Sequence, residues 1–172
     1  GEQFEFNRLK LHFCAKPNGH SNVWLNLSFG GQVDYANTRP GQFLNFDGAF
    51  WYRLGRHFFI EPKYTRERME VDEGWLYTSS IAQLQTSWQF NPRCFIRAIL
   101  QYVDNEFNSE LYGDDRDPEQ RQLFSQLLFS YKLNPRTVFF LGYSDNSRAN
   151  QDYGLTQSDR TLFAKIGYAW VL

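Results

Sequence analysis

The sequence predicts an all-β fold: an antiparallel up-and-down transmembrane β-barrel, wound as a meander, with about nine strands in this chain and the rest of a larger barrel elsewhere. Three observations predict it. Apolar residues recur at every second position almost from end to end, which is the strand period. Tight turns alternate with longer, more charged loops, the asymmetry of barrels with short periplasmic turns and long outer loops. Aromatic residues make up 19% of the 172 residues, and on the apolar face they gather near strand ends, where Trp and Tyr favour the interfaces of a bilayer.

The strands are expected at 3–15, 22–36, 42–54, 57–68, 75–90, 93–104, 121–133, 136–146 and 158–172. In the first, Leu9, Leu11, Phe13 and Ala15 oppose Arg8, Lys10, His12 and Cys14. In the second, Val23, Leu25, Leu27 and Phe29 oppose Trp24, Asn26, Ser28 and Gly30. The third sets Leu44, Phe46, Phe50 and Tyr52 against Asn45, Asp47, Trp51 and Arg53. The fourth sets Phe58, Ile60 and Tyr64 against Glu61 and Lys63. Further on, Leu84 and Trp88 oppose Gln83, Gln85 and Gln89, and Ile96, Leu100 and Tyr102 oppose Arg97 and Gln101. Leu127, Phe129 and Tyr131 oppose Gln122, Gln126 and Lys132. Phe139, Leu141 and Tyr143 follow, and Ile166, Tyr168 and Trp170 oppose Lys165 and Gly167. No segment has a helical period.

The turns Leu54-Gly55-Arg56, Asn91-Pro92-Arg93 and Asn134-Pro135-Arg136 read as tight. Proline presets the turn, and the preceding Asn bonds the chain ahead. Residues 66–74, 105–120 and 147–157 read as the longer loops.

Composition narrows the class. Eighteen basic residues against 19 acidic leave a net charge of -1, without the basic excess of a nucleic-acid binder. No run approaches the roughly 18 apolar residues of a membrane helix. The aromatic content excludes a disordered chain. The length is that of one domain, 1–172. Cys14 and Cys94 fall on opposite faces, so no bond between them is expected.

Alternation alone does not say which face is inside. A soluble barrel turns its apolar face inward, and a lipid-embedded one turns it outward. The two aromatic belts, strands long enough to cross a bilayer at a tilt, and a mixed opposite face holding Gly30, Ala49, Trp51, Phe95, Phe124, Gly142, Phe163 and Gly167 favour the membrane. The soluble barrel with an apolar ligand inside is the competing reading, and an outer-membrane hydrolase is a third.

Lys165-Ile-Gly-Tyr-Ala-Trp-Val-Leu172 resembles the terminal assembly signal of bacterial outer-membrane barrels, with Lys165, Gly167, Tyr168, Trp170 and Leu172 at the motif positions. The usual last residue is Phe, so Leu172 is a departure. The resemblance implies recognition by the barrel-assembly machinery. Residues 4–16, the two Asn-Pro-Arg hairpins, and Leu141–Asn146 followed by Ser158–Phe163 resemble a bacterial outer-membrane family that carries an N-terminal carbohydrate-binding-like domain before a C-terminal barrel. That implies a bacterial outer-membrane location, outer-membrane lipid as a partner, and further strands or another chain completing the wall. Strand parity agrees, because single-chain barrels have even counts with both ends periplasmic.

The chemistry expected is passive: a wall for solute passage, or an anchor for an attached binding region. His12, His20 and His57 are scattered, so no catalytic constellation, metal site or cofactor is expected, and the chain reads as no enzyme. Asp47, Arg53, Glu61, Lys63, Arg97, Lys132 and Lys165 are expected to line the lumen. They form either a field that selects solutes or a ladder of ion pairs, with Arg53 near Glu61 or Lys63. The acidic groups Asp114, Asp115, Asp117 and Glu119, and Glu67, Glu70, Asp72 and Glu73, lack calcium-loop spacing and read as solvated loops.

Overall fold

The computed structural model describes residues 6–35, 37–112 and 116–170. Nine strands are present among them: β1 (Arg8–Asn18), β2 (Ser21–Asp34), β3 (Arg39–Leu54), β4 (Phe58–Val71), β5 (Gly74–Asn91), β6 (Cys94–Phe107), β7 (Glu119–Asn134), β8 (Thr137–Asn150) and β9 (Thr156–Tyr168). They form one antiparallel sheet in chain order. One 3-10 turn, Ser109–Leu111, is the sole helical piece among the described residues.

The tight hairpins close as their sequences dictate. Asn18, Asn91 and Asn134 each accept a hydrogen bond at Oδ1 from the backbone N–H two residues on, at 2.8, 2.8 and 2.9 Å. This side-chain mimic of a turn leaves the chain no freedom to continue straight. The fourth hairpin turns on Gly55 at φ 61°, a conformation that costs a glycine little.

The opposite end differs from expectation. Residues 66–74 are not a long loop: β4 runs to Val71 and β5 starts at Gly74, with Gly74 at φ 135° taking the turn. Likewise β6 and β7 shrink the expected loop 105–120 to residues 108–118, and β8 runs on to Asn150. The physical reason is that these charges sit on strands that have left the membrane. Above the hydrocarbon a ladder continues with polar side chains on both faces, and its charge then reads like a loop.

A register shift between Met69 and Glu70 gives β5 one extra residue, a β-bulge. The bulge turns Leu76 inward with Met69 and Val71; Leu76 and Met69 are 1% and 2% exposed. Tyr77, Leu111 and Tyr112 cover this small cluster. The remainder of the sheet has no dry centre. Leu25, Phe46, Leu127 and Ile166, the residues that a soluble barrel would bury together, are 38%, 37%, 49% and 67% exposed. The apolar face is the outer one.

The edge of the apolar band locates the membrane. On β1 the outward face is apolar from Leu9, and on β3 from Leu44. On β4, Leu44 opposes Arg68, and the band begins four residues lower at Tyr64. On β7 it begins at Leu123. Leu123 opposes Ser147, and the band on β8 begins four residues lower again, at Tyr143, beside Leu162 on β9. The boundary thus slides by about eight residues across the nine strands. At about 3.3 Å per residue and about 4.8 Å between strands, that is a strand tilt of about 35°, the tilt of membrane barrels. On β7 the band from Leu123 to Tyr131 then rises about 22 Å along the membrane normal, close to the roughly 25 Å apolar belt of such barrels.

Candidate functional site: the polar lining of the wall

The face opposite the apolar band is half-buried where the band is exposed. Its side chains form rows set by the ladder. One row reads Trp24, Ala49, Lys63, Gln83, Gln101, Phe124, Asn146 and Asp159. The next carries His12, Asn26, Asp47, Thr65, Ile81, Val103, Gln122 and Arg148.

Across β1–β4 this face is a hydrogen-bonded polar chain. His12 Nδ1 lies 2.5 Å from Asn26 Oδ1. Asn26 Nδ2 donates to Asp47 Oδ2 at 3.4 Å, and Thr65 Oγ1 donates to Asp47 Oδ1 at 2.9 Å. Asp47 is therefore held by neutral donors rather than by a cation. Lys63 Nζ meets Glu61 on its own strand at 3.5 Å. Arg53 does not join them: it opposes Phe59 and stays exposed near the turn. The register puts a ring where a carboxylate was expected, so the ladder of ion pairs reduces to Glu61–Lys63.

Across β5–β8 the lining is mostly uncharged. Gln83 opposes Gln101, Gln85 opposes Ile99, and Ile99 opposes Gln126. Alternating Gln at 83, 85 and 89 and at 120, 122 and 126 is the signal in the sequence for this uncharged lining. Gln122 spends its amide on Asn146 Oδ1 at 2.8 Å, and Gln89 donates to the Asn91 carbonyl at 3.3 Å. Arg97, one row lower, has its Nε closed off from solvent with no acceptor among the described residues. Gly142 opposes Phe163, whose ring occupies the space a Cβ would need. That ring fills the lining over the glycine.

The remaining expected lining charges share this face: Lys132 opposes Val138 near the tight-turn end, and Lys165 opposes Phe140 deeper in the wall. Cys14 lies on the lining face and Cys94 on the outer one, and both are free. Lys165, Gly167 and Tyr168 lie on β9. Trp170 follows, edge-to-face on Tyr168 at 5.3 Å between ring centres. Leu172 lies outside the described residues, as do Asp114 and Asp115.

At the far end, Arg39 gathers three groups. Its guanidinium meets Asp34 at 2.9 Å and Glu73 at 3.0 Å, and donates to the Leu111 carbonyl at 3.0 Å. The Leu111 carbonyl also accepts from Asn37 Nδ2 at 3.3 Å. This ties the β6–β7 connection back over β4 and β5 to the β2–β3 turn. Beneath it the Tyr77 hydroxyl donates to Glu67. Burial, then that bond to a carboxylate, raises the tyrosine well above its ordinary range. Among the described residues no three His, Cys, Asp or Glu side chains are placed to share a metal ion.

Comparison with solved structures gives the architecture. Outer-membrane expressed OmpT of Vibrio cholerae superposes with a TM-score of 0.63 at 13% identity, over 96% of this chain and 57% of that one. The in-vitro folded trimer form of OmpT matches with a TM-score of 0.61 at 16% identity, over 96% and 56%. The chain spans just over half the length of the barrels it matches. No protein-family model matches the sequence, and no curated protein matches it. The fold is that of an outer-membrane β-barrel. With its exposed apolar band, the chain is a wall segment of an integral barrel in the bacterial outer membrane. One expectation is corrected by these matches. Catalysis was excluded because no constellation is visible along the sequence. A barrel wall shared with OmpT at this identity leaves a hydrolase as open as a pore, so that exclusion does not stand.

Proposed function

We propose that this chain forms part of the wall of a passive solute pathway across the outer membrane. One observation carries the reading: on a lining face of mixed polar and apolar side chains, the amides of Gln83, Gln85, Gln101 and Gln126 make no hydrogen bond within the protein among the described residues. A wall that merely anchors something needs a filled interior. Unspent donors and acceptors along a lining are what a water-filled lumen requires.

The wall needs completing. β1 and β9 each have one neighbour and one bare edge among the described residues. Backbone groups facing hydrocarbon without partners cost several kcal/mol each, so further strands must cover both. β1 descends from the outer end, and β9 finishes at the inner end. An even total therefore needs an odd number of additional strands. Nine strands span 57% of the OmpT length, which scales to about sixteen, or about seven more. We place these in the same polypeptide, as in the family with an N-terminal carbohydrate-binding-like domain that the Asn-Pro-Arg hairpins resemble. The residues at 165, 167, 168, 170 and 172 serve there as the assembly signal.

The test is planar-bilayer conductance of the full-length protein, with folding confirmed by heat-dependent gel mobility. Steps of current are expected. A verifiably folded barrel that carries none overturns the pathway.

A further inference from the structure

The two ends of this wall differ in charge in a way the net value of -1 hides. No Asp or Glu occurs in residues 6–33, 48–60, 74–103, 122–144 or 160–172. These stretches hold the four tight hairpins and the inner end of β9. Carboxylates are confined to mid-wall, at Asp47 and Glu61, to the outer strand ends and connections, and to the extreme N-terminus.

The inner end is instead basic. On the lining face Arg53 and Lys132 lie at this end, while Arg97 and Lys165 lie deeper in the wall, below the outer band edge at Tyr102 and Leu162; Arg56, Arg93 and Arg136 stand in the turns between strands. None of the seven makes an ion pair among the described residues. At the outer end Arg39, Arg68, Arg121 and Arg160 all do. Four of the outer cations are neutralised locally, although Arg8, Arg66 and Arg148 are not, and none of the seven inner and lining ones is among the described residues. Arg97 carries the strongest sign of an unmet partner, since its Nε is both desolvated and without an acceptor. A desolvated guanidinium N–H without an acceptor is costly unless an anion reaches it.

We propose that the inner mouth of this wall is a binding and selection site for anionic solutes bearing phosphate or carboxylate groups. The proposal rests on the solute pathway above and names its substrate class. Rings of Arg and Lys make a pore selective for anions, and a narrow low-dielectric passage concentrates their field. Placement on the lining face separates the four strand cations from lipid, because on β3, β6, β7 and β9 the lipid-facing positions are the alternate ones. Arg56, Arg93 and Arg136 extend the same potential to the rim. The guanidinium fork suits a bidentate grip on carboxylate or phosphate, with Lys132 and Lys165 as point charges.

The experiment uses the full-length protein in planar bilayers of neutral lipid under a potassium chloride gradient. The reversal potential is expected to report chloride preferred over potassium, and inorganic phosphate is expected to reduce the current saturably. The variant Arg53→Gln/Lys132→Gln should lower the chloride preference by roughly two-fold or more and weaken phosphate block, while Lys132→Arg retains both. Arg97→Gln is a second variant at a site away from the assembly signal. The proposal is overturned by a conducting barrel that prefers potassium, or by selectivity unchanged in both charge-removing variants. The latter holds even where anionic vesicles stabilise the protein, a result that assigns these cations to lipid. Absence of any current in the folded protein is a different failure, that of the pathway itself.

Discussion

Replacing Leu127 by arginine tests the orientation of the whole sheet. Leu127 sits on the outward face of β7, four residues from Leu123 and four from Tyr131. At about 3.3 Å per residue and the tilt of about 35° given by the sliding boundary, it lies about 11 Å from either edge of the apolar band, at the bilayer midplane. Arginine on the lipid face at that depth costs about 2–4 kcal/mol. The neighbouring Gln126 faces the lining, so Gln126→Arg should cost well under 1 kcal/mol. The assay is urea unfolding of the full-length barrel in large vesicles, read by tryptophan fluorescence. Leu127→Arg should shift the folding equilibrium roughly thirty- to seven-hundred-fold, with Gln126→Arg near the parent. Equal costs at the two positions, or a larger cost at Gln126, would refute the assignment of faces and everything built on it.

Three further outcomes are expected. Gly142→Ala places a Cβ in the space of the Phe163 ring and should destabilise the barrel by about 1–3 kcal/mol in the same assay, with Phe163→Ala restoring part of the loss. Arg39→Ala removes the ties to Asp34, Glu73 and the Leu111 carbonyl. Hydrogen exchange at residues 108–112 should then speed up by about 1.5–3 kcal/mol of opening energy, while exchange in β7 stays constant; no change would remove Arg39 as the tie. Asp145, above the band on β8, is held below the ordinary carboxylate range, first by its hydrogen bond from Arg160 and also by that from Tyr143. A depressed folded value means that its contribution is present above about pH 3.9 and lost as pH falls through the folded value. A carboxyl-carbon NMR titration should place the midpoint below that of an exposed Asp, and Arg160→Gln should raise it towards the ordinary value.

The sheet was legible because period two survives across the apolar band: a lipid face cannot tolerate a slip that the other face would forgive. The tight hairpins were legible from Asn and Pro, whose turn chemistry is local. Strand ends at the outer side were not. Arg66, Glu67, Arg68 and Glu70 look like loop residues, yet they are paired in β4 with β3 and β5, because a charged strand in water has no composition of its own. The lining was half legible. Parity alone assigned the seven expected charges to one face, and whether they pair depends on register. A shift of one row is the difference between Arg53 meeting Glu61 and meeting Phe59. Leu76 was unreadable for a similar reason: its burial follows from an inserted residue, which breaks the parity used to place it.

The two-residue link between β4 and β5 has a practical consequence. Above Tyr64 that hairpin climbs seven more residues to Val71, about 19 Å at the strand rise and tilt. A phage, an antibody or a neighbouring cell arriving at this side of the protein touches a stiff fence of cross-linked backbone before it touches anything floppy. Peptides grafted for surface display at Asp72–Glu73 would prise that fence apart, whereas the connection at 151–155 offers slack where an insert can hang free.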